Sequence, residues 1–261
     1  MYIDVHCHLT GAEYDAVGGV EEVISRAKES GVGIIICSGF DLDSSRISAE
    51  IARTHENVYF CAGFHPSELA KYREGDLEEI RALCQSEKCV AVGEIGLDYH
   101  FEDNPPPEVQ RDLFIRQLSL ADEMGLPVVL HSRDAAQETL LILQEYQQLL
   151  KKGGLMHCYS YSAEMMAEFE KLGLSFSFGG PSTFKNAKKV QECVQRIPAI
   201  RILSETDCPY LTPVPFRGVF PNEPKNVKHV VENMATLRNE NEEELKEQIL
   251  QNAKALFFRL K

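Results

Sequence analysis

Short apolar runs alternate with longer amphipathic runs along the whole chain. Several of the short runs, such as GIIICSG, CVAVGEIG and LPVVLHS, are almost continuously hydrophobic, which is typical of parallel strands covered on both faces. The pattern predicts eight strands: Tyr2–His6, Gly33–Ser38, Val58–His65, Val90–Asp98, Pro127–His131, Leu155–Tyr159, Leu174–Gly179 and Ile202–Asp207.

The intervening runs repeat apolar residues with a helical period. They predict the helices Val20–Ser30, Leu77–Cys84, Val109–Glu123, Ala135–Leu150, Ala163–Leu172, Ala187–Arg196, Val227–Leu237 and, at the end of the chain, Glu243–Phe258. Strands that alternate with helices without a break in composition predict an α/β fold, a single-domain (β/α)8 TIM barrel with an extra C-terminal helix. The rival fold, a doubly wound open sheet, would need a phosphate-binding glycine loop. Neither GxGxxG nor GxxxxGK followed by Ser or Thr is present.

Composition narrows the class of protein. The 261 residues suffice for one barrel, and the formal net charge of −13 argues against a broad basic face that coats nucleic acid. The first residues carry neither a basic n-region nor an apolar h-region, and no apolar run approaches the roughly 18 residues of a membrane span. We therefore expect a cytoplasmic protein, whose eight cysteines are reduced and mostly buried.

Five of the eight histidines fall at the carboxyl ends of predicted strands or directly after them: His6, His8, His65, His131 and His157. Glu94 and Asp207 occupy equivalent positions, and a barrel of this kind assembles its active site at that rim. His6 and His8 alternate along a strand and can face one metal ion together, although an HxH pair alone fits two ordinary strand-end histidines equally well. An unpaired Glu94 in an apolar strand would be costly to bury, so it needs a cation or a hydrogen-bond network. The early strands carry no basic residue on their predicted inner surface, which favours a metal.

The predicted site also suggests a substrate. Two divalent ions would outweigh the charges of Glu94 and Asp207, and a positive site suits a phosphate. Such ions could share a hydroxide and clamp the attacking and leaving oxygens of a phosphodiester. Arg133, Lys185 and Arg217 follow the fifth, seventh and eighth strands and are candidate phosphate contacts. For each of them alone, a solvated surface cation is an equally good interpretation.

The motifs DVHCHL, GFHP, VGEIGLDY, PVVLHSRDA, HCYS and ETDCPYLTPVPFRG…NEP, in this order, resemble those of the TatD-type metal-dependent deoxyribonucleases of the amidohydrolase-like superfamily. The match runs from the first strand to NAKALFF near the C-terminus. The resemblance implies that His6, His8 and Asp207 bind one metal ion, that Glu94 bridges to a second, and that His131 and His157 hold the second ion. It places His65 near the scissile phosphate. Asp98 and Glu205 are expected to support the ligands from behind.

The resemblance further implies a nuclease that acts on DNA ends, single strands or abasic sites, with Mg, Mn, Zn or Ni as the divalent metal and with no membrane or obligate protein partner. Two departures lie on the substrate rim. Family members commonly read RGK, then Arg or Pro, then NEP after the last strand, whereas this chain reads RGVFPNEP, with one extra residue and no lysine. The chain also has HCYSY where HCFSG is common.

Three hypotheses follow. The leading one is phosphodiester hydrolysis, in which Asp207 orients or deprotonates the nucleophile, Glu94 joins the ions, and His65 or a metal-bound water helps the leaving oxygen to depart. The first alternative is hydrolysis of a small amide, ester or lactone on a related barrel. Many such barrels bridge their metals with a carboxylated lysine on the fourth strand, and this chain has Glu94 there instead. The second alternative, a non-catalytic binding protein, predicts the loss of at least one ligand, and none is missing.

Overall fold

Eight parallel strands form the centre of the computed structural model, which describes residues 1–261. They are hydrogen-bonded in sequential order: β1 (Tyr2–Cys7), β2 (Val32–Ser38), β3 (Val58–Ala62), β4 (Cys89–Asp98), β5 (Val128–Arg133), β6 (Gly154–Met156), β7 (Ser175–Phe178) and β8 (Ile202–Ser204). β1 also contacts β8, so the sheet curls into a nearly closed barrel. The predicted (β/α)8 TIM barrel is confirmed.

Helices surround the strands and alternate with them along the chain: α1 (Gly19–Glu29), α2 (Leu42–Thr54), α3 (Asp76–Cys84), α4 (Pro107–Met124), α5 (Ala136–Glu145), α6 (Ala163–Glu170), α7 (Lys188–Arg196), α8 (Val227–Arg238) and α9 (Glu242–Leu256). The extra C-terminal helix, α9, packs against α8, β8 and β1. One continuous hydrophobic core fills the barrel and the layer between strands and helices. None of the helices combines the length and apolar character needed to cross a membrane.

Helix α2 has no counterpart among the predicted helices, and its omission is an error of the pattern analysis. Its buried face consists of Ser44, Ser45, Ser48 and Ala52, so the helix lacks an apolar period. The start of α2 is nevertheless encoded locally. The Asp41 carboxylate accepts a hydrogen bond from the backbone N–H of Ser44 at 2.8 Å, and the Ser44 hydroxyl accepts one from the backbone N–H of Asp41 at 2.9 Å. This reciprocal capping box is the sequence signal that would have located the helix.

Three strands end earlier than predicted at their carboxyl ends, where the candidate site lies. Strands β3, β6 and β8 end at residues 62, 156 and 204, whereas the pattern places their ends at 65, 159 and 207. Cys158 and Asp207 have φ angles of 45° and 53°, and this left-handed conformation cannot continue an extended strand. His157 is the first residue of its loop, and His65 and Asp207 are the third residues of theirs.

The barrel closes between β1 and β8 next to the candidate site. The backbone N–H of Asp207 donates to the carbonyl of His6 at 3.0 Å. Just below, the fully buried carboxylate of Asp4 accepts hydrogen bonds from both the backbone N–H and the hydroxyl of Thr206. These bonds fix the end of β8 against the end of β1.

Gly96 in β4 gives the first prediction. Its φ is 143°, and a Cβ at this position would lie 1.9 Å from the carbonyl oxygen of His131. We expect Gly96→Ala to lower the free energy of unfolding by more than about 2 kcal/mol, because both the backbone conformation and the available space exclude a methyl group. Denaturant unfolding measures this loss.

Gly125→Ala is the matched control. Gly125 ends α4 with a φ of 63° and has no atom within 4 Å of an added Cβ. It should lose only about 1 kcal/mol. Equal losses for the two variants would contradict the argument from close approach.

Candidate metal centre

Seven side chains converge at the carboxyl ends of the strands and form what we call the rim cluster: His6, His8, His65, Glu94, His131, His157 and Asp207. The structure therefore brings together the predicted metal ligands and His65. All of them except His6 line a cavity of about 700 Å³ that opens at the rim. His6 is fully buried beneath it.

Glu94 lies at the centre of the rim cluster, and its two oxygens face different histidines. Oε2 lies 3.3 Å from Nε2 of His6 and 3.5 Å from Nε2 of His8. Oε1 lies 2.8 Å from Nδ1 of His131 and 2.8 Å from Nε2 of His157. One carboxylate is therefore shared between two pairs of imidazoles.

His6, His8 and Asp207 form the first group of potential ligands. Oδ1 of Asp207 lies 3.7 Å from Nε2 of His6 and 3.5 Å from Nε2 of His8. Ser38 holds the far side of both rings, because its hydroxyl contacts Nδ1 of His6 at 3.1 Å and its carbonyl contacts Nδ1 of His8 at 2.9 Å. Both Nε2 atoms are thus turned toward the carboxylates, as outer hydrogen bonds commonly orient metal-ligating histidines.

His131, His157 and Glu94 form the second group. The Oδ2 atom of Asp98 lies 3.2 Å from Nε2 of His131. Oε1 of Glu205 lies 3.9 Å from Nδ1 of His157, and neither of these two buried atoms has a hydrogen-bond partner. Asp98 and Glu205 thus lie behind the two rings, where the sequence analysis places them. Asp98 can also form a separate group of potential ligands with His65 and His131.

Protonation in the rim cluster follows from burial and from charge. Burial lowers the pKa of His6 to about 4, and the neighbouring charge of His157 acts in the same direction. Burial also opposes the charged form of His8, but the hydrogen bond with Asp207 and the charge of Glu94 raise the pKa of His8 to about 10. For His157, burial is likewise outweighed by Glu94, and its pKa rises to about 9. Burial disfavours ionised Glu94, yet the surrounding histidines hold its pKa well below the usual value.

The donor set of the rim cluster fits divalent cations. In each group the donor atoms lie within 4.8 Å of one another. Nε2 of His6 faces Nε2 of His8 at 3.3 Å, and Nδ1 of His131 faces Nε2 of His157 at 3.2 Å. Ring nitrogens that face each other this closely need a proton or a cation between them. Mixed imidazole and carboxylate ligation suits zinc, manganese, iron or nickel, whereas magnesium prefers oxygen ligands.

The three candidate phosphate contacts occupy different places. Arg133 lines the cavity, and its guanidinium lies 4.9 Å from the centre of the Phe101 ring. Lys185 and Arg217 are exposed and do not line the cavity. Arg217 stacks over Phe184 at 4.0 Å. The structure therefore brings only Arg133 to the rim cluster.

Asn222 has a role at the site that the sequence analysis does not identify. It is fully buried, and its amide donates to the carbonyls of Thr206 at 3.2 Å and Tyr210 at 2.7 Å, on either side of Asp207. Its own oxygen accepts from the backbone N–H of Glu223 at 2.9 Å. The NEP motif contains this residue, but only the fold shows that it clamps the loop after β8.

Comparisons with known proteins show the family to which the chain belongs. The chain matches the family model described as TatD related DNase over residues 3–258. It is 44% identical over 257 residues to an uncharacterized metal-dependent hydrolase, YabD, of Bacillus subtilis, which covers 98% of this chain and 99% of the relative. It is 33% identical over 259 residues to a protein of Erwinia amylovora named 3'-5' ssDNA/RNA exonuclease TatD, covering 97% and 98% of the two chains. The solved structure of YjjV, a TatD homologue from Escherichia coli, is 32% identical, covers 98% of both chains and superposes with a TM-score of 0.91.

Metal binding to the rim cluster should release protons. His8 and His157 have raised pKa values of about 10 and about 9, so both carry protons in the metal-free protein at neutral pH. Burial opposes the charged form of His131, but its hydrogen bonds with Asp98 and Glu94 raise its pKa as well. Since a ligating imidazole must be neutral, we expect saturation with Zn²⁺ or Mn²⁺ to release at least two protons at pH 7. The cation competes with these protons, so its affinity should fall as the pH falls.

Calorimetry in two buffers of different ionisation enthalpy measures the released protons. His229→Ala removes a half-buried histidine outside the rim cluster and should change nothing. Heats that do not depend on the buffer, or an affinity that rises toward acid pH, would rule out this protonation scheme.

Proposed function

The chain belongs to the TatD related DNase family, and from that premise we propose that this metal-dependent hydrolase cleaves phosphodiester bonds as a TatD-like deoxyribonuclease. The observation that carries the proposal is the division of the Glu94 oxygens between two groups of ligands. Two divalent cations held by these groups would stabilise the attacking and leaving oxygens of an in-line displacement at phosphorus. We assign His6, His8 and Asp207 to one cation, and His131 and His157 to the other.

The proposed substrate is DNA, at ends, single strands or abasic sites. The printed name of the Erwinia relative, an ssDNA/RNA exonuclease, supports a nucleic acid. Within the cavity, the guanidinium of Arg133 is available to a phosphate, because it makes no ion pair with a carboxylate of the chain. We also propose that the protein is cytoplasmic, as the sequence analysis expects.

Asp207 is the proposed proton acceptor. Its side chain is 14% exposed and lines the cavity, so a water molecule can reach it. Burial works against the ionised carboxylate, but the hydrogen bond with His8 and the nearby histidines lower its pKa. Asp207 is therefore ionised at neutral pH and can orient or deprotonate the attacking water.

His65 is proposed to act as a hydrogen-bond donor. The backbone N–H of Ser67 donates to its Nδ1 at 3.1 Å, so the neutral ring carries its proton on Nε2. That Nε2 lies 3.4 Å from Oε1 of Glu94 and faces the cavity. Burial, together with His131, lowers the pKa of His65 to about 3 and keeps the ring neutral. It can therefore stabilise developing charge on a phosphate or leaving oxygen without itself being charged.

No observation favours hydrolysis of a small amide, ester or lactone over this proposal. Strand β4 carries Glu94 and contains no lysine that could be carboxylated. Solved structures of a β-aspartyl dipeptidase and of organophosphorus hydrolases are less than 25% identical to the chain, and they show only that the barrel is shared. Acyl amides and lactones therefore enter the experiment as comparison substrates.

The direct test is a substrate panel. With Mg²⁺, Mn²⁺, Zn²⁺ or Ni²⁺, the wild-type protein should cleave single-stranded or double-stranded DNA or RNA. Glu94→Gln should lower this activity by more than about 100-fold, because removal of an outer partner of a ligand already costs 10- to 100-fold. Glu145→Gln is the matched control, since Glu145 is an exposed glutamate of α5.

If the protein cleaves no nucleic acid with any of these ions, the proposed nuclease function is refuted. Hydrolysis of the amides or lactones alone would establish the alternative. Full activity in Glu94→Gln would refute the ligand assignment.

The proposed role of His65 predicts a separate effect. His65→Ala should lower kcat by about 100- to 1000-fold, the loss expected for one missing hydrogen-bond donor to a transition state. His65→Gln should restore part of kcat, since its amide can donate. Metal content, measured by elemental analysis, should stay unchanged in both variants. If His65→Ala loses a metal ion, His65 is instead a ligand with Asp98 and His131.

A further inference from the structure

Exposed aromatic side chains surround the mouth of the cavity. Phe101, Tyr210 and Phe220 are 50%, 57% and 61% exposed. Phe101 and Tyr210 line the cavity directly, and the Tyr210 and Phe220 rings lie 6.4 Å apart in a tilted pair. Large apolar groups left in solvent beside a polar site contribute little to the fold and mark a surface that binds something.

Phe101 is held in place relative to the rim cluster. It lies in the loop that follows β4, and the preceding residue, His100, donates its backbone N–H to Oδ1 of Asp98 at 2.9 Å. Asn104 donates its amide to the carbonyl of Asp98 at 3.1 Å, which closes the loop on the other side of Phe101. The guanidinium of Arg133 covers the ring at 4.9 Å. The Phe101 ring is therefore a preorganised surface beside the metal ligands.

Tyr210, in the loop after β8, is also held in place by hydrogen bonds of its backbone. Its backbone N–H donates to the carbonyl of Asp207 at 3.0 Å, and its carbonyl accepts from the buried amide of Asn222 at 2.7 Å. The position of the Tyr210 ring is thus tied to the backbone of a proposed metal ligand.

The charged side chains that line the cavity contribute little to the binding of a polyanion. Arg133 is the one lysine or arginine that lines the cavity, and Glu13 and Glu68 line it as well. The formal net charge of the chain is −13. A nucleic acid held mainly through its backbone would need several basic contacts, and the cavity supplies one.

We propose that Phe101 and Tyr210 are stacking surfaces for unpaired bases next to the reacting phosphodiester, with Arg133 on an adjacent phosphate. This inference rests on the proposed nuclease function and adds how the substrate is recognised. Every base has a π-face, so recognition of this kind tolerates any sequence, but it requires bases that have left the duplex stack.

The experiment compares two single-stranded oligonucleotides of equal length, one of natural DNA and one with tetrahydrofuran abasic residues throughout. Phe101→Ala and Tyr210→Ala should each lower kcat/KM on the natural oligonucleotide by about 5- to 100-fold, the range expected for loss of one base-aromatic stack. Neither variant should change kcat/KM on the abasic oligonucleotide. Phe101→Tyr and Tyr210→Phe should stay near wild type, because they keep the ring.

Phe258→Ala is the matched control, since Phe258 is 51% exposed near the C-terminus and does not line the cavity. Thermal melting of each variant checks that it folds. A second readout is salt: a slope of log kcat/KM against log salt no steeper than about −2 is expected for so few phosphate contacts.

Three outcomes would refute the proposed stacking while leaving the nuclease function intact. They are equal losses on both oligonucleotides, no loss on either, and a much steeper salt slope. A wild-type protein that cleaves no nucleic acid with any cation would remove the proposed function and this inference together. The two failures are therefore distinguishable.

Discussion

The rim of this barrel is organised around one buried carboxylate. Glu94 is 3% exposed, and the five histidines of the rim cluster all place a ring nitrogen within 3.5 Å of its oxygens. A carboxylate buried without compensation would be very unfavourable, and the surrounding rings supply the compensating contacts. Ser38, Asp98 and Glu205 stand behind the rings. The same imidazoles that make Glu94 tolerable in the metal-free protein can bind cations once they have lost their protons.

The position of Glu94 among these rings depends on an irregularity in strand β4. The pairing of β4 with β5 shifts register between Val92 and Ile95, on either side of Glu94. Gly93 permits the shift, because a Cβ there would lie 2.6 Å from Cβ of Val129. The glycines of the VGEIG segment thus let β4 approach its neighbour closely enough to set Glu94 among side chains from β1, β5 and the loop after β6. A regular strand with side chains at these positions would hold the carboxylate elsewhere.

These features explain which parts of the molecule the sequence reveals. The strands and the residues of the rim cluster are predictable because these residues lie in an apolar run or shortly after one, so their places are encoded locally. Helix α2 is not, since its buried face is made of serines and carries no apolar period. Lys185 and Arg217 also follow strands, but the paths of long loops decide whether such residues face the cavity. The hydrogen bonds that fix the loop after β8 join residues that lie far apart in the chain, such as Asp4 and Thr206.

Under the proposed function, catalysis and recognition are separated in space. The rim cluster would act on any phosphodiester that reaches it, so selection of the substrate would fall to the mouth of the cavity. In the segment before NEP the chain has Val219, Phe220 and Pro221, and Phe220 packs beside Tyr210. This segment adds an aromatic surface and no charge beside the mouth of the cavity, on a protein that is strongly acidic. Because exposed charges are screened beyond about 8 Å at physiological salt, the net charge repels a distant polyanion only weakly, and contacts at the mouth decide what enters.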